Sequence, residues 1–274
     1  MLDDLSATPW RRRLYHPLNQ TVTITRGDAR HCTGRYGGED FLGVPCPERA
    51  SLSGMDEPVC YACRHARGFN PAFYNAGQRI SPQQRQYNAE PHSVYLAHFG
   101  RGTIKVGIAN TRRELLRLME QGARAAAIIA RCNDAYEARG IEETLAKRAD
   151  VVEVVRASQK RRLLELPFDG DEAKAALRRL AERLPEAHPI DSIELYCFDE
   201  AYGFPDGVST TLTDTMNAPP FVISGRVLGM VGEFLIVEQR GWLVAGLRKL
   251  TGHRVSIVPG EIPCPGVGQT AFSF

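Results

Sequence analysis

Four of the chain's seven cysteines, Cys32, Cys46, Cys60 and Cys63, fall in one turn-rich stretch near the N-terminus. Residues 1–90 are rich in Gly, Pro and Arg and contain one clear strand pattern, QTVTITRG at 20–27, with Val22 and Ile24 alternating against threonines. A loop-rich segment of this length buries too little apolar surface to hold itself together, so an internal staple is expected. Cys60 and Cys63 form a C-x-x-C pair, and two more thiolates from the preceding loop would complete a tetrahedral zinc site. The binding energy of such an ion becomes folding energy. Four thiolates leave no open coordination position, which points to a structural ion and not a catalytic one. His31 and His65 are substitutes should one cysteine not be a ligand. The competing readings are plain buried thiols or a redox C-x-x-C, but a redox motif normally sits between a strand and a helix, a context this stretch lacks. Cys132, Cys197 and Cys264 read as ordinary core or surface cysteines.

The odd number of cysteines argues against a disulfide framework. The N-terminus has no apolar segment followed by a small-residue cleavage site, and no apolar run approaches the ~18–20 residues of a membrane helix. The expectation is therefore a cytoplasmic chain without membrane contact. With 274 residues, 43% hydrophobic and 24% charged, the chain is long and apolar enough for a real core. A net charge of +2 permits a nucleic-acid partner without arguing for one.

Beyond residue 90 the pattern changes. The segment 77–91 reads as an extended connector. HSVYLAHFG and GTIKVGIA are strand-like, with FGRGT between them as a hairpin turn. In TRRELLRLMEQGA, Leu115, Leu118 and Met119 form a helical stripe that Gly122 stops. ARAAAIIARC is a strand or a buried helix; periodicity does not separate the two. The next helix runs through NDAYEARGIEETLAKRAD, with Asn133 or Asp134 as N-cap, and VVEVVRASQKRRLLELP is a helix or a strand followed by one. Residues 170–189 form an amphipathic spacer or packing helix. From 190 onward short alternating runs separated by glycines suggest a small curled sheet or barrel, OB-like over 221–257. Phe221, Phe234 and Trp242 read as its core, and Gly225, Gly229 and Gly232 as bends or bulges. The predicted fold is α+β: a zinc-stapled module (1–90), a small mixed sheet with helices (91–168), a spacer helix (169–189) and a C-terminal barrel-like β domain (190–274).

The central segment resembles the GIY-YIG nuclease superfamily, in which two tripeptide motifs lie on neighbouring strands, an arginine follows on the next helix, and a later glutamate binds a divalent metal. Ser93-Val94-Tyr95 stands in the place of the first motif and Lys105-Val106-Gly107 in that of the second. Arg117 matches the arginine, with Arg113 one turn earlier, and Glu142 matches the metal glutamate, with Glu137 and Glu143 as competitors. The resemblance implies Tyr95 as base, Lys105 as its support, Arg117 and Arg113 as phosphate ligands, and Glu142 as the ligand of Mg or Mn. Ser93 departs from the expected glycine, the interval from Gly107 to Arg117 is long by a residue or two, and the late asparagine of the family has no counterpart; Asp150 is a further acid near the site.

From Cys32 to Val255 the chain is also similar to an uncharacterised prokaryotic family of unknown function. It departs from that family at Asp150-Val151-Val152, where a polar run is expected. Arg11-Arg12-Arg13, Arg112-Arg113 and Lys160-Arg161-Arg162 are basic clusters, and Trp10, Tyr15 and Tyr87 lie near such arginines. A charge run is usually a solvated face, but phosphate contact with base stacking uses the same residue types. The leading expectation is a nucleic-acid-directed, metal-dependent nuclease. The alternatives are a non-catalytic nucleic-acid-binding or scaffold protein with the same fold, and an enzyme acting on a small molecule.

Overall fold

The computed structural model describes residues 2–4, 11–13, 17–36, 43–53, 57–67, 80–148, 150–183, 193–215 and 220–263. In its N-terminal part lie β1 (Leu2–Asp4), β2 (Arg11–Arg13), β3 (Thr21–Arg30), β4 (Arg35–Tyr36), β5 (Gly43–Val44), α1 (Tyr61–Arg67) and α2 (Pro82–Asn88). The middle holds β6 (His92–His98), β7 (Ile104–Asn110), α3 (Glu114–Gln121), β8 (Ala125–Cys132), α4 (Ala135–Ala146), α5 (Ala157–Leu164), α6 (Gly170–Ala181) and β9 (Glu194–Cys197). The last part is β10 (Thr213–Asp214), β11 (Val222–Val231), β12 (Phe234–Glu238), β13 (Trp242–Gly246) and β14 (His253–Pro259). This is a mixed α+β architecture with a four-stranded sheet, a six-stranded sheet and two small two-stranded pairs.

The four-stranded sheet has the order β7-β6-β8-β9, and every neighbouring pair is antiparallel. The turn from β6 to β7 needs positive φ at Gly100, Arg101 and Gly102, and FGRGT supplies two glycines for it. The stretch 125–132 is a strand buried on both faces, which explains why its apolar run showed no period. Asp134 is the N-cap of α4, accepting from the backbone N–H of Tyr136 and Glu137 at 2.8 Å each. α4 and α6 cover one face of the sheet, packing Ile141, Leu145, Leu177 and Leu180 on Val94, Leu96 and Val106. The other face, with Tyr95, Ala97 and Phe99, receives α3, α5 and the inner side of the six-stranded sheet through Leu118, Leu163, Val231, Phe234 and Ile236.

Several expectations are corrected here. The segment 77–91 contains a helix, α2, because Ser81 accepts from Gln84 N at 3.0 Å as N-cap and Pro82 takes the first helical position. Of the α3 stripe, Leu118 is fully buried and Met119 packs partly buried against the core, while Leu115 faces out. α6 ends at Ala181 and not at 189, is capped by Asp169, and packs into the core of the four-stranded sheet. IELYCF also leaves the C-terminal region read from the sequence, because β9 pairs with β8.

The six-stranded sheet runs β10-β13-β12-β11-β3-β14. The N-terminal strand β3 lies between β11 and β14, with Ile24 opposite both Ile223 and Ile257. The boundary at 90 therefore does not separate β3 from the C-terminal strands: Val22 and Ile24 bury themselves with Ile223, Leu235 and Val237. Among the described residues no ladder joins the edge strands β10 and β14, so the barrel expected from the sequence is seen as a sheet with two edges.

One buried ion pair ties the sheet to the loop after β9. Arg124, 1% exposed in its side chain, donates from Nε and Nη2 to Asp199, the shorter contact being 2.6 Å. Its guanidinium also lies 4.0 Å from the centre of the Phe168 ring. Replacing Asp199 with Ala leaves that guanidinium buried without its counter-charge, at a cost of about 3–5 kcal/mol. Urea unfolding of Asp199→Ala beside wild type checks this; a difference below about 1 kcal/mol, the range of surface ion pairs, would show that the pair does not anchor the loop.

Candidate functional site

The four N-terminal cysteines converge. Cys32 follows β3, Cys46 follows β5, Cys60 precedes α1 and Cys63 lies on its buried side. Their Sγ atoms all lie within 4.8 Å of one another, and those of Cys46 and Cys60 are 4.0 Å apart. A tetrahedron of thiolates at ~2.3 Å from a zinc ion has edges of about 3.8 Å, so the donor set fits. Backbone N–H groups point at the sulfurs: Gly34 and Cys60 donate to Cys32 Sγ at 3.3 and 3.1 Å, and Cys63 to Cys60 Sγ at 3.5 Å. Such donors favour the charged thiolate. Among the described residues, Ala50, Leu52 and Val59 are apolar side chains packed on the cluster. The four cysteines are thus close enough to hold a metal ion such as zinc. His31 lies outside the group with Nδ1 3.2 Å from the Arg49 carbonyl, and His65 stacks on Tyr61. Cys132 is buried elsewhere, Cys197 is exposed, and Cys264 lies outside the described residues.

The central residues gather around a glycine. Tyr95 on β6 stands opposite Gly107 on β7. A Cβ at Gly107 would lie 2.5 Å from Tyr95 Oη and 2.9 Å from Lys105 Nζ, so the phenol crosses the strand where only a glycine leaves room. Tyr95 is 1% exposed. Its Oη accepts from Gln121 Nε2 at 2.7 Å, and the Arg117 guanidinium acts on it as a second donor and a charge. Burial nevertheless pushes the phenol above its ordinary pKa, against those two influences. Lys105 Nζ lies 5.6 Å from the centre of the Tyr95 ring and donates to the Val106 carbonyl at 3.2 Å. Burial lowers the Lys105 ammonium to about 8, with Glu142 opposing and Arg117 adding to the shift.

Glu142 comes from the other side. It is 7% exposed on α4, which covers the sheet face opposite Tyr95, and its carboxylate is held by Arg139. Burial raises its pKa and Arg139 opposes that. Among the described residues it acts on Lys105 and Tyr95 through its charge, with no hydrogen bond to either. Of its competitors, Glu143 shares Arg139 at 3.1 Å and Glu137 accepts from Asn133 N at 3.0 Å. Asp150 is paired with Arg148. Arg117 is about half exposed and 3.9 Å from Glu120, whereas Arg113 pairs with Glu120 at 2.6 Å. Ser93 donates to Glu114, part of a separate network with Arg131 and Glu194. Tyr95, Lys105 and Arg117 are therefore brought together, Glu142 is within electrostatic reach, and Arg113 turns away to Glu120.

Gln121 joins this group without a sign in the sequence, and Lys160 comes to it from the basic cluster at 160–162. Gln121 lies one turn after Arg117, a spacing that puts both on one side of α3. Lys160 on α5 donates to the Gln121 carbonyl at 2.7 Å, and burial lowers its ammonium to about 8. Val152 adds a parallel bridge to Lys105, with Val106 N donating to its carbonyl at 3.1 Å, so the neighbouring Glu153 acts on both Lys105 and Glu142. The other basic clusters divide among acids: Arg112 pairs with Glu90 and Arg161 with Glu165. The side chains of 11–13 lie outside the described residues, as do Trp10 and Tyr15. No described helix is long and apolar enough to cross a membrane.

The profile of a family described as "Protein of unknown function (DUF2797)" matches residues 54–255. The chain belongs to that family. No curated protein and no solved structure matches the chain significantly.

Two outcomes follow from these geometries. Cys63→Ser should lose bound metal and melt at a lower temperature; full metal content by elemental analysis together with an unchanged melting curve would remove Cys63 from the donor set. Lys105 and Lys160 titrate near 8 in the fold and at about 10.4 in the unfolded chain. Between those values the unfolded state binds more protons, so the two lysines make stability rise as pH climbs through the window. The double variant Lys105→Met/Lys160→Met should lose that contribution, giving a smaller gain from pH 8 to pH 10 than wild type in chemical unfolding.

Proposed function

We propose that the group around Tyr95 is a GIY-YIG-like site that cleaves nucleic-acid phosphodiester bonds with the help of a divalent ion, and that the four cysteines hold a structural zinc. The observation that carries the first part is the Tyr95 phenol lying across Gly107 between Lys105 and the donors of Arg117 and Gln121. The phenolic oxygen is met by a guanidinium and an amide N–H, and an ammonium lies nearby, so its anionic form is the one those neighbours favour. In that form Tyr95 would take the proton of an attacking water while Arg117, half exposed on α3, faces the phosphate. Lys105 would offset charge as it develops on the phosphoryl oxygens. Glu142 would hold Mg or Mn, which when bound would stabilise the leaving oxygen. Zinc would supply the N-terminal segment with a crosslink.

A second reading has its own observation. Arg139 already neutralises Glu142, and a carboxylate so engaged is a poor metal ligand until the arginine moves. A non-catalytic nucleic-acid-binding protein on the same fold follows if it does not.

The deciding experiment incubates single- and double-stranded DNA and RNA with the protein, with and without Mg²⁺ or Mn²⁺. Tyr95→Phe and Glu142→Ala should each lower metal-dependent cleavage by at least about 100-fold, the scale of a lost general base, with melting temperatures near that of wild type. Cleavage unaffected by Glu142→Ala would remove that residue from the site. Tight, salt-sensitive binding without cleavage by wild type would establish the second reading.

A further inference from the structure

The group around Tyr95 lies where the two large sheets meet, and the second sheet contributes charge to it. Gly122, in the left-handed conformation at the end of α3, abuts Gly232 in the β11–β12 turn; a Cβ on Gly232 would be 2.7 Å from Gly122 N. Their contact brings the turn residue Glu233 to the end of the helix that carries Arg117 and Gln121. The Glu233 carbonyl accepts from Leu247 N at 2.8 Å, which fixes the 3₁₀ turn of residues 247–250 beside it. Arg248 in that turn is 82% exposed and 3.6 Å from the Glu233 carboxylate. Lys160 sits between the parts: it is bound to the Gln121 carbonyl and feels the charges of Glu233, Lys105, Arg117 and Arg248.

We infer that the phosphate-binding surface of the proposed site continues onto the six-stranded sheet, where Arg248, together with Lys160 and Arg117, grips a nucleic-acid strand laid across the junction. This rests on the phosphodiester reading above and adds the second sheet to it. Glu120 is engaged by Arg113, Glu142 by Arg139 and Glu233 by Arg248, which leaves Lys105, Lys160 and Arg117 facing Glu153, a net positive group. The shape favours a strand over a small phosphate ester. The recess at the junction, lined by Phe99, Gln121, Gly122, Lys160, Val231 and Phe234 among others, has a cavity volume of only about 10 Å³. Sites that enclose small ligands run to ~300–1,000 Å³. A polyanion lying over an open surface needs no enclosure, and several separated cations serve it better than one point.

The test is fluorescence anisotropy of a labelled single-stranded oligonucleotide, without added Mg²⁺ or Mn²⁺ and without chelator, across a salt series, with Arg248→Glu, Lys160→Gln and, as a control on the same sheet, Arg226→Ser. Arg248→Glu should weaken binding by about tenfold at low salt and lower the steepness of the salt dependence by about 1, the share of one phosphate contact. Lys160→Gln should act in the same direction, and Arg226→Ser should bind as wild type. Equal affinity of Arg248→Glu and wild type overturns the inference, as does wild type that binds no oligonucleotide, or inorganic pyrophosphate that displaces the strand at a matching concentration. Because the assay contains no added Mg²⁺ or Mn²⁺, its result is separate from cleavage. Weakened binding in a protein that never cleaves supports the junction surface and sinks the nuclease reading. Cleavage lost in Glu142→Ala with binding indifferent to Arg248 does the reverse.

Discussion

Gly122 and Gly232 meet with no side chain between them, and the layout of the candidate site depends on that approach. A Cβ on Gly232 would stand 2.7 Å from Gly122 N, so that position has no room for a side chain, and both residues have the positive φ that favours glycine. The contact seats Val231 and Phe234 against Leu118 and Phe99 in one shared core. It also sets the register between α3, which bears Arg117 and Gln121, and the turn that bears Glu233. A core of this kind is close-packed, so the relative placement of the charged groups around it is held to the precision of the packing.

Electrostatics then follow from geometry. Lys105 and Lys160 are both half withdrawn from water, and both lose part of their affinity for the proton because burial penalises the ammonium. Tyr95 is withdrawn further, and its donors work against the same penalty. Glu142 reaches the group from the far face, already satisfied by Arg139. The region is therefore rich in cations held at some cost in free energy, a cost that an arriving anion would relieve.

Local features were legible in the sequence wherever one residue type does one job. The clustered cysteines, the glycine-bearing FGRGT turn and the capped helix after 134 all follow from spacing alone. Ser81-Pro82 carried a helix start that was read as a connector, although an N-cap serine followed by proline is a recognisable signal. What was not legible was pairing at a distance. No pattern in QTVTITRG says that Ile24 will face Ile257, and none in IELYCF says that it will join β8. Gln121 is hidden for a related reason: it looks like a solvated helix residue until the opposite sheet is in place, as Lys160 looks like one member of a solvated basic cluster.

The position of β3 has a consequence for how the chain acquires its structure. A ribosome delivers residues 21–30 long before 222–231 and 253–259, yet these are the segments that flank β3 in the sheet. During synthesis β3 must wait with its amide groups unpaired while the cysteine segment and the β6–β8 sheet, built from neighbours in sequence, assemble first. Pairings of such high sequence separation fold slowly, since loop closure has to precede any gain from contact. An unpaired strand left waiting is also a template for intermolecular pairing. Arg26 and Arg30 on β3, and the acids and arginines around it, are the features that would discourage that pairing until the C-terminal strands arrive.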